Sequence, residues 1–245
     1  MKTSSAYALF ILCSYCSLAV CQQQILSPHL TLRNATLEDA DDIATVMIAA
    51  FSPLRFWQYL YQFQEEVPHE HHRCVRLGVV QALDAPFSHV EVIEAPADSN
   101  LTVAAAAIWI QHNASYDGMR MPHVSTGCRH KDMNVTRALD YKHKFDAAKN
   151  KYLDEVFGSE QLYLTLLGTH PDYQLHGAGS RLLERGIEVG KTNNVNVTLI
   201  AQPTAEGFYV HNGFFSAKNI SITSADEDES FRYNVMAYNF TSGGL

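Results

Sequence analysis

The spacing of apolar residues changes period along the chain, and each change marks an element. After an apolar run from Ala6 to Val20, His29–Arg33 alternates as a short strand. Thr36-Leu37-Glu38-Asp39 has the form of a capping box, and Ile43, Val46, Met47 and Ala50 follow at helical spacing. Phe56–Tyr61 reads as an aromatic second helix after Pro53, and a third helix is predicted over about His69–Leu83. Val90–Ala95 and Leu101–Gln111 flank the Pro96–Asn100 turn as a hairpin, with Val103–Ile110 so apolar that both faces must be covered. A loop over Ser115–Arg129 leads to a polar helix over about Val135–Phe157. Gln161–Thr169 is a buried strand that Pro171 stops. A glycine-containing loop then leads into a helix carrying Leu182, Leu183, Gly186 and Ile187. Val195–Ala201 is a strand and Thr204–Asn212 a short helix. Phe214–Ile222 and Phe231–Tyr238 are the last strands, separated by the acidic turn Asp226–Glu229. The class is α/β, and no repeat, linker or compositional break divides it.

The opening segment stands apart from that domain. Met1–Cys21 carries one charge, Lys2, ahead of an apolar stretch too short to span a membrane comfortably, with the small residues Ala19 and Cys21 before Gln22. This describes a secretory signal peptide over residues 1–21 and a single domain over 22–245, with an insertion at about 115–157. Asn-x-Ser/Thr sequons occur at Asn34, Asn100, Asn113, Asn134, Asn196, Asn219 and Asn239, an excess that points to the same secretory lumen or extracellular address. No stable membrane anchor is expected. Outside the leader only Cys74 and Cys128 remain, which leaves one disulfide or two buried thiols open.

Composition removes some functions. Lys and Arg number 18 against 26 Asp and Glu, a formal net charge of −8, so the chain is a poor match for a phosphate backbone and no nucleic-acid partner is expected. Such a surface favours the approach of cationic small molecules.

The informative stretch is Gln174-Leu175-His176-Gly177-Ala178-Gly179-Ser180, set between a strand and a helix. Amides at a loop and helix start, together with the helix dipole, cradle phosphate, and glycine permits close approach. A Walker loop would need a Lys after the glycines, and a dinucleotide fingerprint a third glycine where Leu182 stands. The late Gln-x-x-Gly-x-Gly pattern after a strand ending in His170-Pro171 resembles the GNAT N-acetyltransferase superfamily. Phe208-Tyr209-Val210-His211-Asn212-Gly213-Phe214 is similar to that family's Tyr-x-x-x-Gly-Phe signature, one strand downstream of the loop. The order of elements fits from about His29 to Asn239.

The resemblance implies a mixed, mostly antiparallel sheet flanked by helices, with a splayed parallel strand pair forming an acetyl-CoA cleft. It implies acetyl-CoA as co-substrate and a small-molecule or protein amine as acceptor. Amides from Gln174 to Ser180 would take the pyrophosphate, and the backbone of Leu167, Gly168 and Thr169 would pair with the pantetheine arm. Tyr209 would protonate the departing thiolate. The family's Asn after the next strand is replaced here by Gln202-Pro203-Thr204. The general base stays open among Glu155, Glu160, His170, Asp172 and water. The alternative is a secreted binding protein of this fold without turnover.

A second constellation is His69-Glu70-His71-His72-x-Cys74. It matches no two-turn His-x-x-x-His zinc spacing and reads as a solvated helix start, so no metal is expected. Phe56, Trp57 and Tyr61 are expected as core and acceptor-pocket wall, with the Ser115–Phe157 insertion completing that pocket.

Overall fold

The structure, a computed structural model, describes residues 30–112, 127–158, 160–224, 229–238 and 240. The leader, the sequons at Asn113 and Asn239, and nearly all of the Ser115–Arg129 loop and the acidic turn lie outside these residues. Seven strands form one sheet: β1 (Leu32–Asn34), β2 (Ser88–Glu94), β3 (Val103–His112), β4 (Gln161–Thr169), β5 (Asn196–Ala201), β6 (Phe214–Thr223) and β7 (Ser230–Tyr238). Their order is β1-β2-β3-β4-β5-β7-β6, and every neighbouring pair is antiparallel except β4 and β5. This is the mixed, mostly antiparallel architecture expected.

Helices cover both faces. On one lie α1 (Ala40–Phe51), α2 (Arg55–Leu60), α3 (Pro68–Asp84) and α4 (Val135–Lys149), packed on Val90, Val92, Ile108 and Ile110. On the other, after the three-residue α5 (Glu155–Phe157), lie α6 (Ala178–Asn193) and α7 (Glu206–His211). Alternation along β3 explains the two layers: Ala105, Ala107 and Trp109 face α6, while Ala106, Ile108 and Ile110 face α1. A small side chain is imposed at Gly186, where an added Cβ would lie 2.1 Å from the Trp109 ring, and at Gly190, where it would lie 2.2 Å from Val197. No described helix is long and apolar enough to cross a membrane.

Two expectations need correction. The first strand is shorter and later than His29–Arg33, fixed by pairing Leu32 with Ile93 and Asn34 with Glu91. The polar helix over Val135–Phe157 is not continuous, because Asn150–Asp154 forms a π turn. That wider turn brings Asp154 Oδ1 to 2.6 Å from the buried Lys149 Nζ and 2.7 Å from Gln161 Nε2. A buried ammonium needs such partners, and a regular helix would carry Asp154 off their side.

Candidate active site

The opening in the sheet begins where β4 and β5 part. They pair from Gln161↔Asn196 to Leu164↔Leu199, after which β5 pairs with β7 as far as Ala201↔Asn234 and β4 stays with β3 as far as Thr169↔Ala105. Thr165 is the extra residue of a bulge, between the Leu164↔Trp109 and Leu166↔Ile108 pairs. A bulge bends and twists its strand, and this one sits at the point of divergence. Among the described residues, Leu166–Thr169 have no ladder partner toward β5. A cavity of about 140 Å³ fills the gap. Leu167, Ala201, Gln202, Thr204 and Tyr209 line one part, and Phe51, Leu54, Phe56, Phe145 and Tyr233 another.

The glycine loop stands at the open end of β4. Gln174 Nε2 donates to the Thr169 carbonyl at 3.2 Å, tying loop to strand. Leu175 (φ 65°) and Gly177 (φ 85°) both take the left-handed conformation, around His176. For Leu175, fully exposed, that costs roughly 1–2 kcal/mol, a strain typical of functional loops. Gly177 caps α6, whose first turn contains no acidic residue. The leading amides of a helix have no partner within it, so those of Ala178, Gly179 and Ser180 project from its positive end. Leu167 lines the cleft cavity, whereas Gly168 is buried beneath α1, where a Cβ would come within 2.9 Å of Met47 Sδ. At Gly179 a Cβ would meet the Phe208 ring at 3.4 Å, so its smallness also serves the fit of α6 against α7. His176 and Ala178 also border a second cavity of about 720 Å³, beside the β2–β3 turn, which contains neither Leu167 nor Tyr209.

Tyr209 is the buried residue of α7, 8% exposed, with its ring 5.1 Å from that of Phe208 and 5.8 Å from that of Phe214. Burial pushes its phenol well above the ordinary value, so the hydroxyl keeps its proton throughout the neutral range. Gln202 and Thr204, which follow β5, both reach the cavity.

The candidate bases fare unequally. Glu160 precedes β4, about 30 Å from Thr169 at the usual strand rise. Glu155 lies at the same end, in the helix whose Phe157 carbonyl accepts from Asn196 at the start of β5. Neither is among the residues that line the cavity. His170 follows β4, its Nδ1 3.6 Å from Asp172, and Asp172 faces the larger cavity.

The histidine-rich start of α3 is not simply solvated. His71 is 3% exposed, and its Nδ1 lies 2.7 Å from Oδ2 of Asp132, while His130 Nδ1 lies 3.4 Å from Oδ1. Burial raises the Asp132 carboxyl, but the hydrogen bonds and charges of His130 and His71 outweigh it and hold the group at about 2. Trp57 and Tyr61 pack their rings on His71, so both are core, and only Phe56 of that trio lines the cavity. Cys74 and Cys128 form a disulfide, deciding the question left open. Nothing in the spacing of His71, Asp132 and Cys128 signals this cluster, which long-range packing creates.

Residues 153–223 match a family model described as acetyltransferase (GNAT) domain. The match spans β4, the glycine loop, α6, β5, α7 and β6. No curated protein sequence matches significantly. Among solved structures, a histone acetyltransferase HPA2 and related acetyltransferase from Corynebacterium glutamicum is 17% identical, with a TM-score of 0.52 over 85% of this chain and 94% of that one. A mosquito arylalkylamine N-acetyltransferase like 5b is 11% identical, with a TM-score of 0.52 over 85% and 98%. PaiA N-acetyltransferase from Thermoplasma acidophilum, in complex with coenzyme A, is 12% identical, with a TM-score of 0.50 over 87% and 100%. At these identities the likeness establishes the fold.

Proposed function

We propose that the protein is an acetyl-CoA-dependent N-acetyltransferase acting by direct transfer within a ternary complex. The observation that carries this reading is the parting of β4 from β5, with a helix N-terminus at its mouth and Tyr209 on its wall. The matched acetyltransferase domain supports it, as does the Thermoplasma relative in complex with coenzyme A.

The residues present fit such a co-substrate. The leading amides of α6, which have no partner within the helix, suit a pyrophosphate, and the open edge of Leu167–Thr169 suits a strand-like amide arm. The bound thioester supplies an activated acetyl group. Leu167, Gly168 and Thr169 hold it in line with the acceptor, turning a bimolecular encounter into a positioned one. Tyr209 gives its proton to the departing sulfur as the new N–C bond forms and the C–S bond breaks. The amine's surplus proton passes to water and from water back to the Tyr209 phenolate; no acidic or basic side chain lines the cavity among the described residues. The leader, the sequons and the Cys74–Cys128 bridge favour a secretory-lumen or extracellular address.

Thiol release from acetyl-CoA against a panel of amines tests the reading. Amine-dependent release with one acetylated product per thiol is expected. Tight CoA binding without release for any amine would leave a binding protein of this fold.

A further inference from the structure

A second cluster of donor atoms gathers at the first turns of α3, and none of its residues lines the cleft cavity. Cys74 Sγ, Cys128 Sγ and a ring nitrogen of His130 all lie within 4.8 Å of one another. Cys74 and His130 are buried, 1% and 6% exposed. Oε1 of Glu70 adjoins both sulfurs, 3.9 Å from that of Cys74 and 3.8 Å from that of Cys128. Two sulfurs, an imidazole and a carboxylate are the donor types that zinc takes in a tetrahedral set.

The surroundings suit a cation held by thiolates. Arg73 Nη2 donates to Cys128 Sγ at 3.2 Å and to Glu70 Oε1 at 2.7 Å, and a guanidinium so placed favours the thiolate. Asp132 Oδ1 lies 3.4 Å from His130 Nδ1, and a carboxylate neighbour of this kind orients a ligating imidazole. Two thiolates and the Glu70 carboxylate balance a divalent ion and Arg73, so no uncompensated charge is buried. The donors also meet without help from the bridge. The Phe63 amide donates to the Asp132 carbonyl at 3.0 Å, and His71 Nδ1 lies 2.7 Å from Asp132 Oδ2. These bonds hold α3 and the segment of Cys128 and His130 together when the sulfurs part.

We infer that the dithiol form of this cluster binds one zinc ion through Cys74, Cys128, His130 and Glu70, as the alternative to the Cys74–Cys128 bridge. The inference stands apart from the acetyltransferase reading. A two-electron reductant must first open the bridge. With a water-soluble phosphine the S–S bond breaks, phosphorus takes the oxygen of a water molecule, and each sulfur takes one of its protons. Zinc then displaces both protons and forms two Zn–S bonds. The sulfurs separate to roughly 3.8 Å, the edge of a tetrahedron with Zn–S near 2.3 Å. The same two segments are thus clipped by sulfur under oxidising conditions and by metal under reducing ones.

Metal titration of the full chain tests this. The protein is reduced with the phosphine, freed of it without air, and titrated with Co²⁺ and then Zn²⁺ against a chromophoric chelator. One equivalent of Co²⁺ should bind with a thiolate-to-cobalt charge-transfer band that Zn²⁺ abolishes, and the unreduced chain should show no band. The double variant Cys74→Ser, Cys128→Ser should lose the band even where the leader's Cys13, Cys16 and Cys21 are present. His130 has a left-handed backbone (φ 45°), which asparagine tolerates, so His130→Asn removes the imidazole and spares the turn. Its zinc affinity should fall tenfold or more. Should reduction alone unfold the chain, one equivalent of zinc should restore its melting transition. A reduced chain that gives no band, a band retained in the double variant, zinc affinity unchanged in His130→Asn, or an unfolded reduced chain that zinc does not restore each overturns the site.

Discussion

Tyr209 and Asp132 show opposite uses of burial. Desolvation of Tyr209 favours the neutral phenol, which keeps its proton at neutral pH and is a weaker acid than an exposed tyrosine; its proposed role is to pass that proton to the departing sulfur. Replacing it with Phe keeps the ring contacts to Phe208 and Phe214 and removes only the hydroxyl. Turnover of Tyr209→Phe at saturating acetyl-CoA is expected to fall by about 10²–10⁴, the usual range for general acid catalysis, with CoA affinity and melting point little changed. Parent-like turnover would make Tyr209 a packing residue. In Asp132 the charged form wins, because His71 and His130 compensate it. A carboxyl held near 2 when folded and about 3.9 when unfolded binds fewer protons in the native state, so stability falls with pH between those values. Asp39, held at about 2 chiefly by Arg33, adds to the same acid limb. Denaturant melts should therefore show stability level from neutrality to about pH 5 and declining toward pH 2. Asp132→Asn should be less stable at neutral pH and lose less on acidification. An acid limb as steep in the variant as in the parent would show that this carboxylate does not titrate as described.

Helix α6 connects packing to the site, because its position on the sheet sets where its N-terminus and the glycine loop point. Gly186 lets it sit directly on Trp109, and the ring has nowhere to retreat from a methyl group 2.1 Å away. Overpacking of this kind costs about 1–3 kcal/mol and outweighs the ~1 kcal/mol gain in helix propensity. Gly186→Ala should melt several degrees lower, at ~2–4 °C per kcal/mol for a chain of this size, and an unchanged or higher melting point would contradict the contact. The helix itself is plain from the spacing of Leu182, Leu183 and Ile187, since local periodicity dictates it. The glycine loop and Tyr209 are equally legible, because short segments carry their signals. What joins distant segments is not. The bulge at Thr165 depends on register with β3, and the π turn at Asn150–Asp154 on the needs of Lys149 and Gln161. His71 meets Asp132 across 61 positions with no pattern to announce it. The aromatic cavity likewise draws on α1, α2, α4, β4 and β7, and appears only once the sheet has formed.

At the scale of the molecule, surface and stability bear on where the protein works. The Cys74–Cys128 bridge closes a loop of 54 positions, which loop-closure entropy values at about 4 kcal/mol, and it persists in oxidising compartments. Asn34, Asn100, Asn134 and Asn219 are exposed, whereas Asn196 is half-buried and its Nδ2 donates to the Phe157 carbonyl at 2.9 Å. Mass spectrometry of the full chain made in secretory cells should find the leader removed after Cys21, glycans on the exposed four, and Asn196 the least occupied. An intact Met1 with bare sequons would overturn the secretory address, and full occupancy of Asn196 would contradict its bond to Phe157. The central claim is that the gap between β4 and β5, with the N-terminus of α6 at its mouth, is a coenzyme A site. Melting temperature against CoA concentration tests it most directly. Binding to the folded state alone adds about 2.7 kcal/mol at a hundredfold excess over Kd, or ~5–10 °C here, and the midpoint should keep rising with concentration. A midpoint that does not move at millimolar CoA would contradict the account.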